Sequence, residues 1–266
     1  MIRRESLALY AFSWQFDGEC GYAEAGGKLY KVCPSGEVEE FSWGKGESWE
    51  EIFGVHEDLE EFYDMISDDP LLWCIAKKYR GLRPRKLSLW ASSVIAVAQQ
   101  NASFKQAWKS IYKLHVLKSK RVYAFGREYL LFPKKEDVDE ETLKKAGFGY
   151  RSQTIMRLRE VNVTCNNIDE LKNVKGIGDY SLGLIKLFGC RDYSALILDR
   201  WLKAVFEEAY GNWERIKDFG RWKGLVSLLT TVALDAVPLR RALHRVRSGE
   251  VCPKEEFGPL TMWKYL

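Results

Sequence analysis

Closely spaced cysteines are missing from this chain. Its six cysteines (Cys20, Cys33, Cys74, Cys165, Cys190, Cys252) are scattered and include no C-x-x-C pair. Zinc and iron–sulfur sites depend on clustered thiolates, so neither is expected, and the thiols read as buried and reduced. Histidine is scarcer still: His56, His115 and His244 stand far apart, which argues against a His-based metal centre. The expected chemistry needs no metal and no cofactor. No apolar run approaches the roughly 18 residues of a membrane span. The opening residues lack a signal peptide's apolar core and small-residue cleavage site, so the expectation is a cytoplasmic protein. There is no internal repeat and no low-complexity linker. The formal net charge of +4 permits nucleic-acid binding without requiring it, because the local placement of Lys and Arg decides.

What is present is the composition of a folded protein, 46% hydrophobic and 29% charged over 266 residues, enough for one large domain or two to three small ones. Stretches 7–16, 21–25, 28–33 and 38–43 are short, aromatic and β-branched, and are broken by Gly18, Gly26-Gly27 and Pro34-Ser35-Gly36. They predict a small antiparallel sheet with one wet face. From Ser48 the apolar spacing becomes three and four, as in Ile52, Phe53, Leu59, Phe62, Tyr63 and Ile66. Helices are predicted over 71–79, 87–98, 103–118, 137–146, 152–160, 168–174, 180–188, 199–210, 220–236 and 239–246. The expected fold class is α+β: a β-rich region over 1–85 and an all-helical body over 86–266, with a cleft between two helical subdomains.

The most informative stretch runs from Leu171 to Phe188. A short helix ends at Gly176-Ile177-Gly178, and a second starts at once with Leu182, Ile185 and Phe188 on one face. The glycines permit a tight turn and a close backbone approach, while Ile177 points inward to pin the two helices. The turn's N–H groups and the positive end of the second helix then face solvent, ready for an anion such as a DNA phosphate. A contact of that kind positions a protein without reading sequence. The plainer alternative is an αα-hairpin whose glycines only make a turn. After an apolar run, Ala195–Leu198, comes Asp199 at the head of another helix, where an N-cap role accounts for it alone.

An aspartate 21 residues beyond Gly178, after an apolar turn, resembles the catalytic aspartate of the helix-hairpin-helix DNA glycosylase superfamily. The resemblance covers about Arg80 to Leu234 and is strongest over 171–203. The turn Ala98-Gln-Gln-Asn-Ala102 is similar to the family's loop that enters the DNA stack. Residues 131–151, ending Ala146-Gly-Phe-Gly-Tyr-Arg151, resemble its connection into the hairpin. The leading sheet suggests the subgroup of alkyladenine and 8-oxoguanine glycosylases. The resemblance implies Asp199 as the catalytic carboxylate. It also implies backbone contacts from Lys172, Lys175, Gly176, Ile177, Gly178, Tyr180 and Arg151, and a wedge from Gln99, Gln100 or Asn101 that fills the hole left by a flipped base. Tyr180, Trp201, Trp14 and Phe16 are candidates for the base pocket, with core packing the competing role for the tryptophans and for Phe16.

In that subgroup, bifunctional enzymes carry a nucleophilic lysine two residues after the second glycine. Tyr180 occupies the position here, and a phenol cannot form a Schiff base. The expectation is therefore a monofunctional, monomeric enzyme that excises alkylated purines such as 3-methyladenine, with deaminated purines as an extension, from damaged double-stranded DNA. It would be nucleoid-associated when on DNA and would have no membrane partner. The alternatives are a bifunctional 8-oxoguanine glycosylase/lyase using another lysine, and a non-catalytic DNA-structure-binding protein.

Overall fold

In the computed structural model, which describes residues 2–266, the small sheet forms where the alternating pattern places it. Strands β1 (Gly21–Glu24), β2 (Lys28–Val32) and β3 (Val38–Ser42) pair antiparallel in the order β1-β2-β3, with Tyr22 opposite Lys31 and Leu29 opposite Phe41. Both faces of β2 are buried, Leu29 in the main core and Tyr30 and Val32 in a second, smaller core, so the expected wet face is missing there; β3 lies at the edge and is largely exposed.

Stretch 7–16 departs from the expected strand. Helix α1 (Arg4–Ala8) takes its first residues, and the remainder is irregular. The reason is a partner distant in sequence: the backbone of this segment bonds the C-terminal tail, Tyr10 N to Pro259 O at 2.8 Å and Ser13 N to Leu266 O at 2.7 Å. A second departure is a hairpin of β4 (Arg121–Ala124) and β5 (Arg127–Leu130). Its turn, Phe125-Gly126, holds both residues at positive φ (54° and 75°). That geometry usually advertises itself as Asn-Gly or Asp-Gly, and Phe-Gly does not.

The body follows the 3.6-residue periodicity. Its helices are α2 (Trp49–Phe53), α3 (Glu60–Met65), α4 (Trp73–Lys78), α5 (Leu89–Ala98), α6 (Phe104–Lys118) and α7 (Glu140–Lys145), then α8 (Ser152–Arg159), α9 (Asp179–Cys190), α10 (Arg200–Tyr210), α11 (Lys223–Ala233) and α12 (Leu239–Arg247). Residues 168–174 form a 3-10 turn rather than an α-helix. Hydroxyl and carboxylate caps start several helices: Ser88 accepts from Ala91 N, Ser103 from Gln106 N and Asp139 from Thr142 N. Helix α5 is buried from Ala91 to Ala98 and packs along α9, where Gly189 lets Leu89 and Ser92 approach.

The cysteines depart most from expectation. All six pair, as Cys20–Cys33, Cys74–Cys252 and Cys165–Cys190, and among the described residues none is free. Each pair joins residues remote in sequence, 13, 178 and 25 positions apart, so close ligand spacing was the wrong signal to look for. Disulfides belong to oxidising compartments or to hyperthermophile interiors, so the cysteines give no support to an ordinary cytosol. The sheet region is tied to the body by further bonds. Arg191, at the C-cap of α9, donates to Glu57 Oε1 (2.5 Å), Glu57 Oε2 (2.7 Å) and Pro84 O (2.8 Å).

Candidate active site

The short apolar run before Asp199 is held between two helices. A Cβ at Gly183 on α9 would lie 2.5 Å from Leu196 O, and one at Gly224 on α11 would lie 2.5 Å from Ala195 O. Backbone therefore packs on backbone at both points, which only glycine allows. Gly224 N donates to Tyr193 O (2.8 Å) and Ser227 Oγ to Ile197 O (2.7 Å), so the run cannot slide. It delivers Asp199 as the N-cap of α10, its Oδ1 accepting from Leu202 N at 2.8 Å.

Asp199 opens onto a cavity of about 570 Å³ between the start of α6, α9, α10, α11, the start of α12 and the C-terminal segment. The volume is in the range of small-molecule sites. Six aromatic residues line it: Tyr10, Phe104, Tyr180, Phe188, Trp201 and Phe257. Trp201 is fixed by donating Nε1–H to Val237 O (2.9 Å). Tyr10 is wedged at a left-handed φ of 52°, stacked on Trp108 at 5.3 Å and edge-on to Phe188 at 5.6 Å.

Three carboxylates line the cavity, and their partners differ. Asp235 is locked by Arg245 Nη1 (2.8 Å) and Lys254 N (2.9 Å). Glu256 pairs with Arg241 (2.7 Å). Asp199 has no ion-pair partner among the described residues; only backbone N–H groups bond it. Burial raises its carboxyl above the ordinary value, and those N–H bonds oppose the rise. Burial first, and then the charge of Asp199, pushes the Tyr180 phenol up, so it stays a neutral O–H.

The hairpin lies beside this cavity. Gly176 has φ of 104°, and a Cβ there would meet Thr154 Oγ1 at 2.3 Å; Gly178 is extended and faces open space. Ile177 is buried, as its place between the helices requires. No side chain caps α9, so its first N–H groups point outward from Gly178. Lys175 and Lys172 are exposed nearby, the latter 3.7 Å from Asp179.

The turn after α5 meets the hairpin directly. Gln100 Nε2 donates to Gly176 O and to Ser181 Oγ, both at 2.8 Å, so its amide is committed to bracing the two loops. Gln99 lines the cavity. Asn101, exposed and at φ 49°, donates to the hydroxyl of Tyr150 at 3.2 Å.

Several residues singled out from sequence lie elsewhere. Trp14 is buried against Phe12 (4.7 Å) and His115 (5.1 Å), and Phe16 sits in the second core beside Trp263 (4.9 Å); neither lines the cavity. Arg151 is not a free surface cation. Its buried guanidinium donates to Ala98 O (2.7 Å), Gln100 O (3.1 Å), Phe148 O (3.0 Å) and Gly147 O (3.3 Å). Sequence reasoning in turn missed Tyr10, Phe104, Phe188 and Phe257 in the wall, and Tyr150, which is 68% exposed and accepts from Asn101. An exposed aromatic in a Gly-Tyr-Arg turn was the one available signal; the others look like ordinary core residues.

The leading sheet and the helical body that carries the glycine hairpin share their fold with solved DNA glycosylases. Solved structures with this fold include the 3-methyladenine DNA-glycosylase from Archaeoglobus fulgidus, at TM-score 0.67 and 16% identity, covering 92% of this chain and 95% of that one. The Clostridium acetobutylicum 8-oxoguanine glycosylase/lyase in complex with DNA gives 0.65 at 21% identity, covering 93% and 91%. Its apo-form gives 0.63 at 20%, covering 90% of each chain. No protein-family model and no curated protein matches the sequence.

Proposed function

We propose that the protein is a monofunctional DNA glycosylase. It would flip a damaged purine from double-stranded DNA into the aromatic cavity and hydrolyse its glycosidic bond, with alkylated purines such as 3-methyladenine as the preferred substrates. The observation that carries this is the state of Asp199, the one carboxylate in the wall without a cation partner among the described residues, held rigid by its capping bond.

As the C1′–N bond breaks, positive charge builds on the sugar. An ionised Asp199 facing that charge stabilises it and orients the attacking water, whose proton passes to the carboxylate while its oxygen bonds C1′. The base leaves with the bonding electrons. An alkylated purine is already cationic, so it departs neutral and needs no general acid. The same positive charge favours rings such as Trp201 and Phe257, at about 0.5–2 kcal/mol per good contact. The N–H groups of α9 with Lys175 and Lys172 suit phosphates on either side of the lesion. Asn101, held by its bond to Tyr150, would fill the vacated stack.

Base release from a lesion panel tests this, with Asp199→Asn as control. The variant is expected to bind duplex normally and to lose release by a hundredfold or more, on the order of what a positioned carboxylate supplies. Release at the wild-type rate removes Asp199 from the chemistry. A second reading, a glycosylase/lyase, has one specific support: among the described residues Lys105 is the only lysine in the wall, its ammonium 5.8 Å from the centre of the Phe257 ring. Borohydride trapping separates the two, since only an amine that attacks C1′ becomes linked to DNA. No adduct is expected.

A further inference from the structure

A second, smaller cavity of about 40 Å³ lies behind the first, and Tyr10 and Phe188 line both. Arg85 and Trp108 also line it, 7% and 3% exposed. The guanidinium of Arg85 donates Nη1 to Tyr22 O (3.0 Å) and Nη2 to Leu7 O (2.9 Å), but its Nε–H finds no protein acceptor. Nor does the Nε1–H of Trp108. Among the described residues Arg85 has no carboxylate partner. A buried arginine cannot shed its proton, and an uncompensated buried charge is costly.

Of the remaining polar side chains of this cavity, Tyr10 is a neutral O–H, its pKa raised by burial, and Gln15 and His115 already have partners. Gln15 accepts from Phe12 N (3.2 Å) and donates to the Tyr129 hydroxyl (3.4 Å). His115 is held against Ser119 Oγ at 2.9 Å, and burial depresses its pKa to about 3, so it is neutral. The buried side-chain groups left without a partner, Arg85 Nε–H and Trp108 Nε1–H, are both donors. A water there would accept from both but leave the arginine's charge uncompensated, whereas an anion accepts from both and neutralises the arginine.

We propose that this cavity binds one small monoatomic anion, chloride under ordinary conditions, between Arg85 and Trp108. The ion would complete the Arg85 hydrogen bonds and stiffen the packing behind Tyr10 and Phe188, the shared wall of the larger cavity. The site goes beyond the glycosylase reading and does not depend on it.

Thermal melts of the full chain, with sodium chloride or bromide replacing sodium gluconate at constant ionic strength, test the proposal. Surface screening cancels in this comparison. Tm is expected to rise with the logarithm of halide concentration once this exceeds Kd, by about 5 °C at a hundredfold excess. In Trp108→Phe, which keeps the ring and removes the donor, the halide concentration needed should rise by about tenfold or more. Arg85→Met should abolish the response. Should that variant fail to fold, Trp108→Phe and a bromide-soaked crystal still decide, the expected result being an anomalous peak beside Arg85 Nε. A halide response identical in wild type and Trp108→Phe, or a crystal with no bromide peak in the cavity, overturns it.

Discussion

Asp199 serves as helix cap and as the unpaired carboxylate of the cavity, and the two duties respond differently to substitution. Asparagine caps as well as aspartate, whereas alanine loses about 1 kcal/mol of capping. The folded-state pKa of Asp199 is raised, so its ionised form is disfavoured by the fold. The sign follows: its contribution to stability is present at low pH and is lost as pH rises through the raised value. Asp199→Asn is therefore expected to melt at or above the wild-type Tm at pH 7, with the gap closing on acidification; a clear drop in Tm at pH 7 contradicts the assignment. Base release should run the opposite way, falling as pH drops, with a midpoint above the ordinary value of an aspartate. Single-turnover rates across pH 4–8 would reveal that midpoint.

At the scale of elements, the hairpin, the turn after α5 and the segment before α8 form one braced unit. Gln100 links turn to hairpin, and Arg151 links both the turn and residues 147–148 through four carbonyls. Arg151 and Lys175, both expected from the sequence to meet phosphates, should now separate. Arg151→Ala leaves buried carbonyls unpaired and is expected to lower Tm markedly, by an equivalent of about 2–4 kcal/mol. Lys175→Ala should leave Tm unchanged and flatten the dependence of log Kd on log salt by about one phosphate contact. Equal Tm values for the two variants would refute the buried role of Arg151. Helix positions were readable here because apolar spacing and Ser or Asp caps are local. The contents of the loops were not, because Gln100 and Arg151 satisfy groups 76 and 53 residues away.

For the molecule as a whole, the decisive ties run from end to end. The C-terminal tail bonds the 10–13 segment, and Cys74–Cys252 closes a separation of 178 residues. Closing so long a loop restricts the unfolded chain, worth about 2–5 kcal/mol. Cys74→Ser/Cys252→Ser is expected to lower Tm by several degrees, as should a strong reductant on the wild type, read by calorimetry with thiol titration. Six free thiols in the native, unreduced protein would refute the pairing.

Local chemistry, by itself, determined much of this protein: the sheet strands, most helices, the G-I-G turn and the aspartate cap all depend on neighbours within a few residues. The helix-hairpin-helix resemblance was legible for the same reason, since its marks lie within 171–203. What only the tertiary structure decided were the pairings across long separations: cysteine with cysteine, Tyr10 and Phe257 with the Asp199 cavity, Trp14 and Phe16 with the core. An aromatic side chain carries the same apolar character in a core and in a pocket wall. Which of the two it becomes depends on what the chain brings opposite it, and no local pattern records that.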